Sequence, residues 1–182
     1  MAPTDSVNGD GSDTPRDRLE QYVQGHPGVY FSDLLRETDL ARGQLSYHLR
    51  ILQENDRIIS VSRGGHKHFF PAHEFSQPAQ VLLSILTLDT PREILLHIYG
   101  EPGATRSDLA EAVGTTKPNV AWHLDRLVDA GLVSADKEGR AYHYYPDADG
   151  ELVQRLLETY HPSLWRTWSE RLAETFEQLG TN

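Results

Sequence analysis

Shifted by 75 residues, the chain lies over itself: Pro27–Pro71 aligns without a gap on Pro102–Pro146, with 11 identities in 45 positions. The identical pairs are Pro27/Pro102, Gly28/Gly103, Ser32/Ser107, Asp33/Asp108, Leu34/Leu109, His48/His123, Leu49/Leu124, Leu52/Leu127, Gly64/Gly139, His68/His143 and Pro71/Pro146. Conservative pairs fill the gaps, as where Phe69-Phe70 faces Tyr144-Tyr145. A register held across so many turn signals means one small unit present in duplicate, which restricts the fold more than any local propensity.

The second copy shows what the unit is. Thr90-Pro91 reads as a cap with proline in the first helical turn, opening a helix to Tyr99. Thr105 caps a second helix, with Asp108 in the capping-box position and an end near Val113. Thr116 caps a third helix, which Gly131 ends. Val120, Leu124 and Leu127 give that helix a single apolar face. Two β-like runs, Leu132–Ala135 and Ala141–Tyr145, flank Asp-Lys-Glu-Gly-Arg as a hairpin. The first copy repeats the order, with helices over residues 16–24, 32–37 and 41–55 and a hairpin around Ser62-Arg-Gly-Gly. Helix, helix, turn, helix and hairpin make a winged helix-turn-helix. The fold class expected is therefore mainly α with small β-hairpin wings, two such units in tandem followed by C-terminal helices.

The stretch VAWHLDRLVDAGLVSADKEGRAYHYYP resembles the winged-helix domains of ArsR/MarR-like transcription regulators. The whole chain is similar to tandem winged-helix regulators common in haloarchaea, over about residues 16–147. The resemblance implies binding to double-stranded DNA through the third helix of each unit. One departure stands out: the second unit's third helix is not basic.

Charge makes that departure matter. The chain carries a formal −10, and only Lys67, Lys117 and Lys137 among its 17 basic residues are lysines. An acidic, lysine-poor composition is that of proteins from salt-accumulating halophiles, where local rather than global charge informs about partners. Residues 40–68 hold Arg42, Arg50, Arg57, Arg63 and Lys67 against Glu54 and Asp56, a local +3. Residues 115–143 hold Lys117, Arg126, Lys137 and Arg140 against Asp125, Asp129, Asp136 and Glu138, a local zero. On the first third helix Leu45, Leu49 and Leu52 point inward, which leaves Arg42, Gln44, Ser46, Tyr47 and Arg50 as candidate DNA contacts. Arg63 and Lys67 on the hairpin suit backbone or minor-groove contact. The second-unit set is Lys117, Asn119, Trp122 and Arg140. His48 and His123 read as half-buried residues, each holding its helix by one hydrogen bond. His66-x-His68, with His73 nearby, has metal-clip spacing, but no carboxylate or thiolate completes a set. No metal and no cofactor is expected.

Outside the repeats, residues 1–14 are rich in Gly, Ser and Asp and read as a disordered acidic tail. The expected division is winged helix 1 over 15–74, a linker helix over 75–89, winged helix 2 over 90–147 and a C-terminal helical region over 148–182. The linker's apolar run must pack against something. In the last region Leu164, Trp165, Trp168, Leu172, Phe176 and Leu179 recur at spacings of three and four, a stripe suited to closing the chain's own core or to building a homodimer. Dimerisation is the reading preferred, with a protein partner as another occupant of that stripe. Neither a signal pattern nor an apolar span is present, so a cytoplasmic protein without membrane contact is expected. There is no cysteine, no phosphate-cradling loop and no nucleophile motif, so no enzyme is expected. The function read from all this is a sequence-specific DNA-binding regulator acting as a dimer. The competing class is an acidic tandem winged-helix interaction subunit, of the kind found in chromosome-organising complexes, without direct DNA contact.

Overall fold

The computed structural model describes residues 14–179, with side chains through Glu170. The first unit consists of α1 (Pro15–Gly25), β1 (Val29–Tyr30), α2 (Phe31–Glu37), α3 (Arg42–Glu54), β2 (Ile58–Arg63) and β3 (His66–Pro71). A connecting helix α4 (Gln77–Leu86) leads to α5 (Asp89–Gly100), β4 (Ala104–Thr105), α6 (Arg106–Val113), α7 (Lys117–Asp129), β5 (Val133–Glu138) and β6 (Ala141–Pro146). Two helices follow, α8 (Gly150–Tyr160) and α9 (Pro162–Leu179). The tail expected over residues 1–14 lies outside the described residues except for Thr14, which caps α1.

Both units use the same local chemistry. Thr14 and Asp17 form a reciprocal capping box on α1, and Thr105 and Asp108 repeat it on α6. Thr116 caps α7 by accepting from the Asn119 amide, with Pro118 in the first turn. One expected cap is absent. Thr90 lies inside α5, which begins at Asp89 after Leu88 and has no side-chain cap. Arg92 secures that corner instead, donating to the Leu86 carbonyl at 3.3 Å and to Asp89 at 2.8 Å.

Each wing belongs to a three-stranded antiparallel sheet, ordered β1-β3-β2 and β4-β6-β5. The two-residue strands β1 and β4 are additions that sequence patterning missed, being too short to show a period. A repeated pair of bonds builds them. Gly28 N donates to Phe69 O at 2.8 Å while His68 Nδ1–H donates to Gly28 O at 2.7 Å. In the second unit Gly103 N donates to Tyr144 O at 2.8 Å and His143 Nδ1–H to Gly103 O at 2.8 Å. Both glycines have φ near +90° (+89° and +91°), where a side chain is strained, which explains why this pair is invariant across the repeat.

Among the described residues two cores form, and they meet on the first unit's sheet. Leu19, Val23, Leu34, Leu45, Leu49, Leu52, Ile58 and Phe69 close the first. Strand alternation then turns Phe70 to the other face of β3, into a larger cluster with α4, α5, α6, α7 and α8. Ile59 and Val61 of β2 pack against this same cluster. The apolar connector is thus interior: Val81, Leu82, Leu83, Ile85 and Leu86 are all buried. Burial of this kind, at roughly 25 cal/mol per Å² of apolar surface, packs the units against each other without a disulfide. Among the described residues no helix is long and apolar enough to cross a membrane.

The first part of the C-terminal stripe closes the chain's own core. Trp168 is 9% exposed; its Nε1–H donates to Leu96 O at 3.1 Å and its ring meets Tyr99 edge-on at 5.9 Å. It is a core residue of its own chain and is not on an open dimer face, because α9 turns back on α5 after the His161-Pro162 break. Leu164 and Trp165 are half-buried against the same cluster. The side chains of Leu172, Phe176 and Leu179 lie outside the described residues.

Candidate nucleic-acid interface

The outer face of α3 follows from its inner one. With Leu45, Leu49 and Leu52 buried, helical geometry turns Arg42, Gly43, Ser46, Tyr47 and Arg50 to solvent. Tyr47 is 49% exposed although its ring meets His48 edge-on at 5.4 Å. Two arginines are posed by aromatic rings: Arg42 lies 5.3 Å over Phe31, and Arg50 lies 5.7 Å over Tyr47. Gln44 is already engaged, its Oε1 accepting from the Ala41 amide at 3.0 Å. That contact is the half of a capping box that the third helical residue supplies, the half that alanine at the N-cap cannot make being absent, so reading a base would cost Gln44 this bond.

The wing places its two basic residues unequally. Arg63-Gly64-Gly65-His66 is a two-residue hairpin with both glycines at positive φ (+63° and +80°). Lys67 is exposed beside this turn, its ammonium 5.7 Å over the Phe69 ring. Arg63 is half-buried and faces a cleft between the units.

On α7 the matching face carries Lys117, Asn119, Trp122 and Asp125, all exposed. Asn119 is tied to Thr115 Oγ1 at 2.9 Å. Trp122 is 53% exposed and sits beneath the Arg126 guanidinium at 4.3 Å. Arg140 is exposed on the second wing. The two faces are not equivalent: where the first unit has Arg50, the second has Asp125.

The histidines sort by environment. His48 Nδ1 is buried without a hydrogen-bond partner, so the bond expected to hold its helix is not made. Burial pushes the His123 imidazole below its ordinary value, with the Arg126 charge adding to the effect. The histidines of the His66-x-His68 spacing and His73 have separate partners: His68 donates to Gly28 O, and His73 pairs with Asp56 at 2.7 Å on a separate turn. Among the described residues no group of three metal-ligating side chains comes together.

Arg126 is the residue that pattern reading passed over. It comes so close to the first wing that a Cβ on Gly64 would collide with its guanidinium. Its repeat partner is Ile51, and a charged residue replacing an apolar one at a half-buried position was the available signal.

Residues 12–83 match a family model described as an N-terminal helix-turn-helix (HTH) domain, and residues 88–134 match one described as winged helix-turn-helix DNA-binding. Since each match falls on one of the units built above, the chain is a tandem winged helix-turn-helix protein. More particularly, it is similar to archaeal regulators. An HTH-type transcriptional regulator of Methanocaldococcus jannaschii is 25% identical over 134 residues, covering 74% of this chain and 33% of that protein. An arsenical resistance operon repressor of Halobacterium salinarum is 38% identical over 79 residues, covering 43% of this chain and 64% of the repressor. The chain therefore spans less than two thirds of the length of either relative. Among solved structures, reduced HlyU from Vibrio cholerae is 22% identical with a TM-score of 0.40, covering 46% of this chain and 90% of that one.

Proposed function

We propose that this protein is a sequence-specific DNA-binding transcriptional regulator whose first unit reads the major groove with α3. The observation that carries the reading is the exposed face of Arg42, Ser46, Tyr47 and Arg50, a basic patch in a chain of net charge −10. Arginine forks suit guanine edges, and the hydroxyls of Ser46 and Tyr47 suit either a base or a phosphate. Lys67 on the wing supplies a backbone contact. The likeness to archaeal regulators supports the same reading.

The second unit contributes differently. Its α7 face carries Asp125 where α3 carries Arg50, so Lys117, Asn119, Trp122 and Arg140 act as secondary contacts. The protein works as a homodimer through the far part of α9, which presents two α3 helices to related half-sites. The acidic body fits a high-salt cytoplasm: at molar ionic strength the Debye length is about 3 Å, so direct base contacts outweigh phosphate attraction.

Recovery of genomic fragments bound to the purified protein in molar KCl tests this. Enriched fragments carrying paired half-sites, lost in the Arg42→Ala/Arg50→Ala variant, are the expected result. No enrichment above background with a folded double variant sinks the reading and leaves an acidic protein-interaction subunit in its place.

A further inference from the structure

Between the first wing and α7 lies a cavity of about 640 Å³, a volume suited to a small organic molecule. Arg63 and His68 line it from the wing, Trp122 and Arg126 from α7, and Ser84 and Ile85 from α4. Two of its polar atoms lack partners inside the protein. His68 is fully buried and its Nδ1–H is spent on Gly28, which leaves Nε2 as an acceptor with no hydrogen-bond partner among the described residues. Arg63 Nε–H is likewise shielded from water and unpartnered. Orphaned buried groups of this kind are costly and need an occupant to explain them.

The charges also single the cavity out. Among the described residues neither Arg63 nor Arg126 forms an ion pair, although the chain holds an excess of carboxylates. Of the acidic residues at the edge, Asp89 is 91% exposed and already bound by Arg92 at 2.8 Å. Asp129 sits exposed at the end of α7. The rest of the lining joins an apolar strip, Leu88 and Pro91 beside Ile85 and the Trp122 ring, to the polar side chains of Ser62, His66, Thr90 and His123.

We propose that this cavity binds an amphipathic organic anion. Its acidic group lies between the Arg63 and Arg126 guanidiniums, its apolar body lies against Ile85, Leu88 and Trp122, and a hydrogen-bond donor meets His68 Nε2. Because the walls belong to different units, occupancy fixes the first wing against α7 and thereby sets how the two units face a duplex. That regulatory consequence rests on the DNA-binding reading above; the binding site does not.

The test uses the full chain and 8-anilinonaphthalene-1-sulfonate, which carries a sulfonate, an anilino N–H and apolar rings. N-phenyl-1-naphthylamine, with the same rings and N–H but no sulfonate, is the control. One sulfonate probe should bind per chain, about tenfold or more tighter than the neutral one, and should quench tryptophan emission that Trp122→Phe removes. Arg63→Gln/Arg126→Gln should weaken the sulfonate probe by about tenfold and leave the neutral probe unchanged. Ser62→Trp, at an exposed position on the cavity rim, should block both probes, and decides the matter if the double variant does not fold. The proposal is overturned by absence of saturable binding, by equal affinity for the two probes, or by binding that survives the blocking variant.

Discussion

Replacing Phe70 with alanine separates a shared core from two independent ones. Phe70 lies on a strand of the first unit yet is fully buried in the cluster that closes the second. Its ring begins a chain of aromatic contacts across the seam, 6.2 Å to Phe75 and from there 5.6 Å to Tyr160 on α8. Truncating a fully buried phenylalanine loses transfer energy and leaves a cavity, about 3–5 kcal/mol together. Against a typical total of about 5–15 kcal/mol that is a large fraction. Urea unfolding is the assay, because all three tryptophans (Trp122, Trp165 and Trp168) lie in the second half of the chain and follow its unfolding. With a slope near 2 kcal/mol per molar urea, the tryptophan-reported midpoint should fall by about 1.5–2.5 M. A midpoint that does not move would show that the first unit's wing contributes nothing to the second core, and the packing argument would be wrong.

Acid should weaken the fold over a defined window. Burial pushes His161 down to about 4, with the Arg92 charge acting in the same direction, and burial also lowers His68 and His123. A depressed imidazole is neutral when folded but protonates when unfolded, so stability is intact above about pH 6.5 and falls as pH drops towards 4. For His161 alone the loss is about 1–2 kcal/mol after allowing for screening at its solvent-facing edge. His161→Gln should flatten the decline measured by denaturation at pH 7 and 4.5, and an unchanged slope would remove His161 from the account. Alanine at the repeated glycines should act unequally in thermal melts. Gly28→Ala sets a Cβ 3.0 Å from the Leu83 carbonyl carbon and should cost about 1–3 kcal/mol. Gly103→Ala meets the movable Tyr145 hydroxyl at 3.3 Å and should cost less, so the reverse order would contradict the packing of α4 on β1. Lys67→Gln should weaken all duplexes alike and lower the salt slope of binding by about 0.9. A loss confined to one sequence would instead make Lys67 a base reader.

The repeat made the tandem unit legible because it preserves what the fold needs at each point. The glycine at positive φ, the histidine that bonds it and the apolar face of the third helix survive in both copies. What stayed hidden depends on relations between the copies. That Phe69 and Phe70 serve different cores follows from strand alternation, but the second core's identity requires knowing where α4 and α8 pack. Arg126 reaches the first wing from an otherwise ordinary helical position, and Trp168 is spent on Leu96 and Tyr99 although its spacing alone equally suits a dimer face. In the candidate interface, exposure of Arg42, Ser46, Tyr47 and Arg50 followed directly from the leucine periodicity. The capping role of Gln44 and the half-burial of Arg63 did not, because both arise from neighbours that a helical pattern does not register.

Methylation interference at guanine N7 on a recovered duplex addresses major-groove reading by α3 most directly. N7 lies in the major groove and is untouched by phosphate contacts. The account predicts that methylation at a few guanines abolishes binding in molar KCl, and that Arg42→Ala or Arg50→Ala releases the requirement at one of them. Binding indifferent to every N7 methyl group, yet lost on phosphate ethylation, would contradict it.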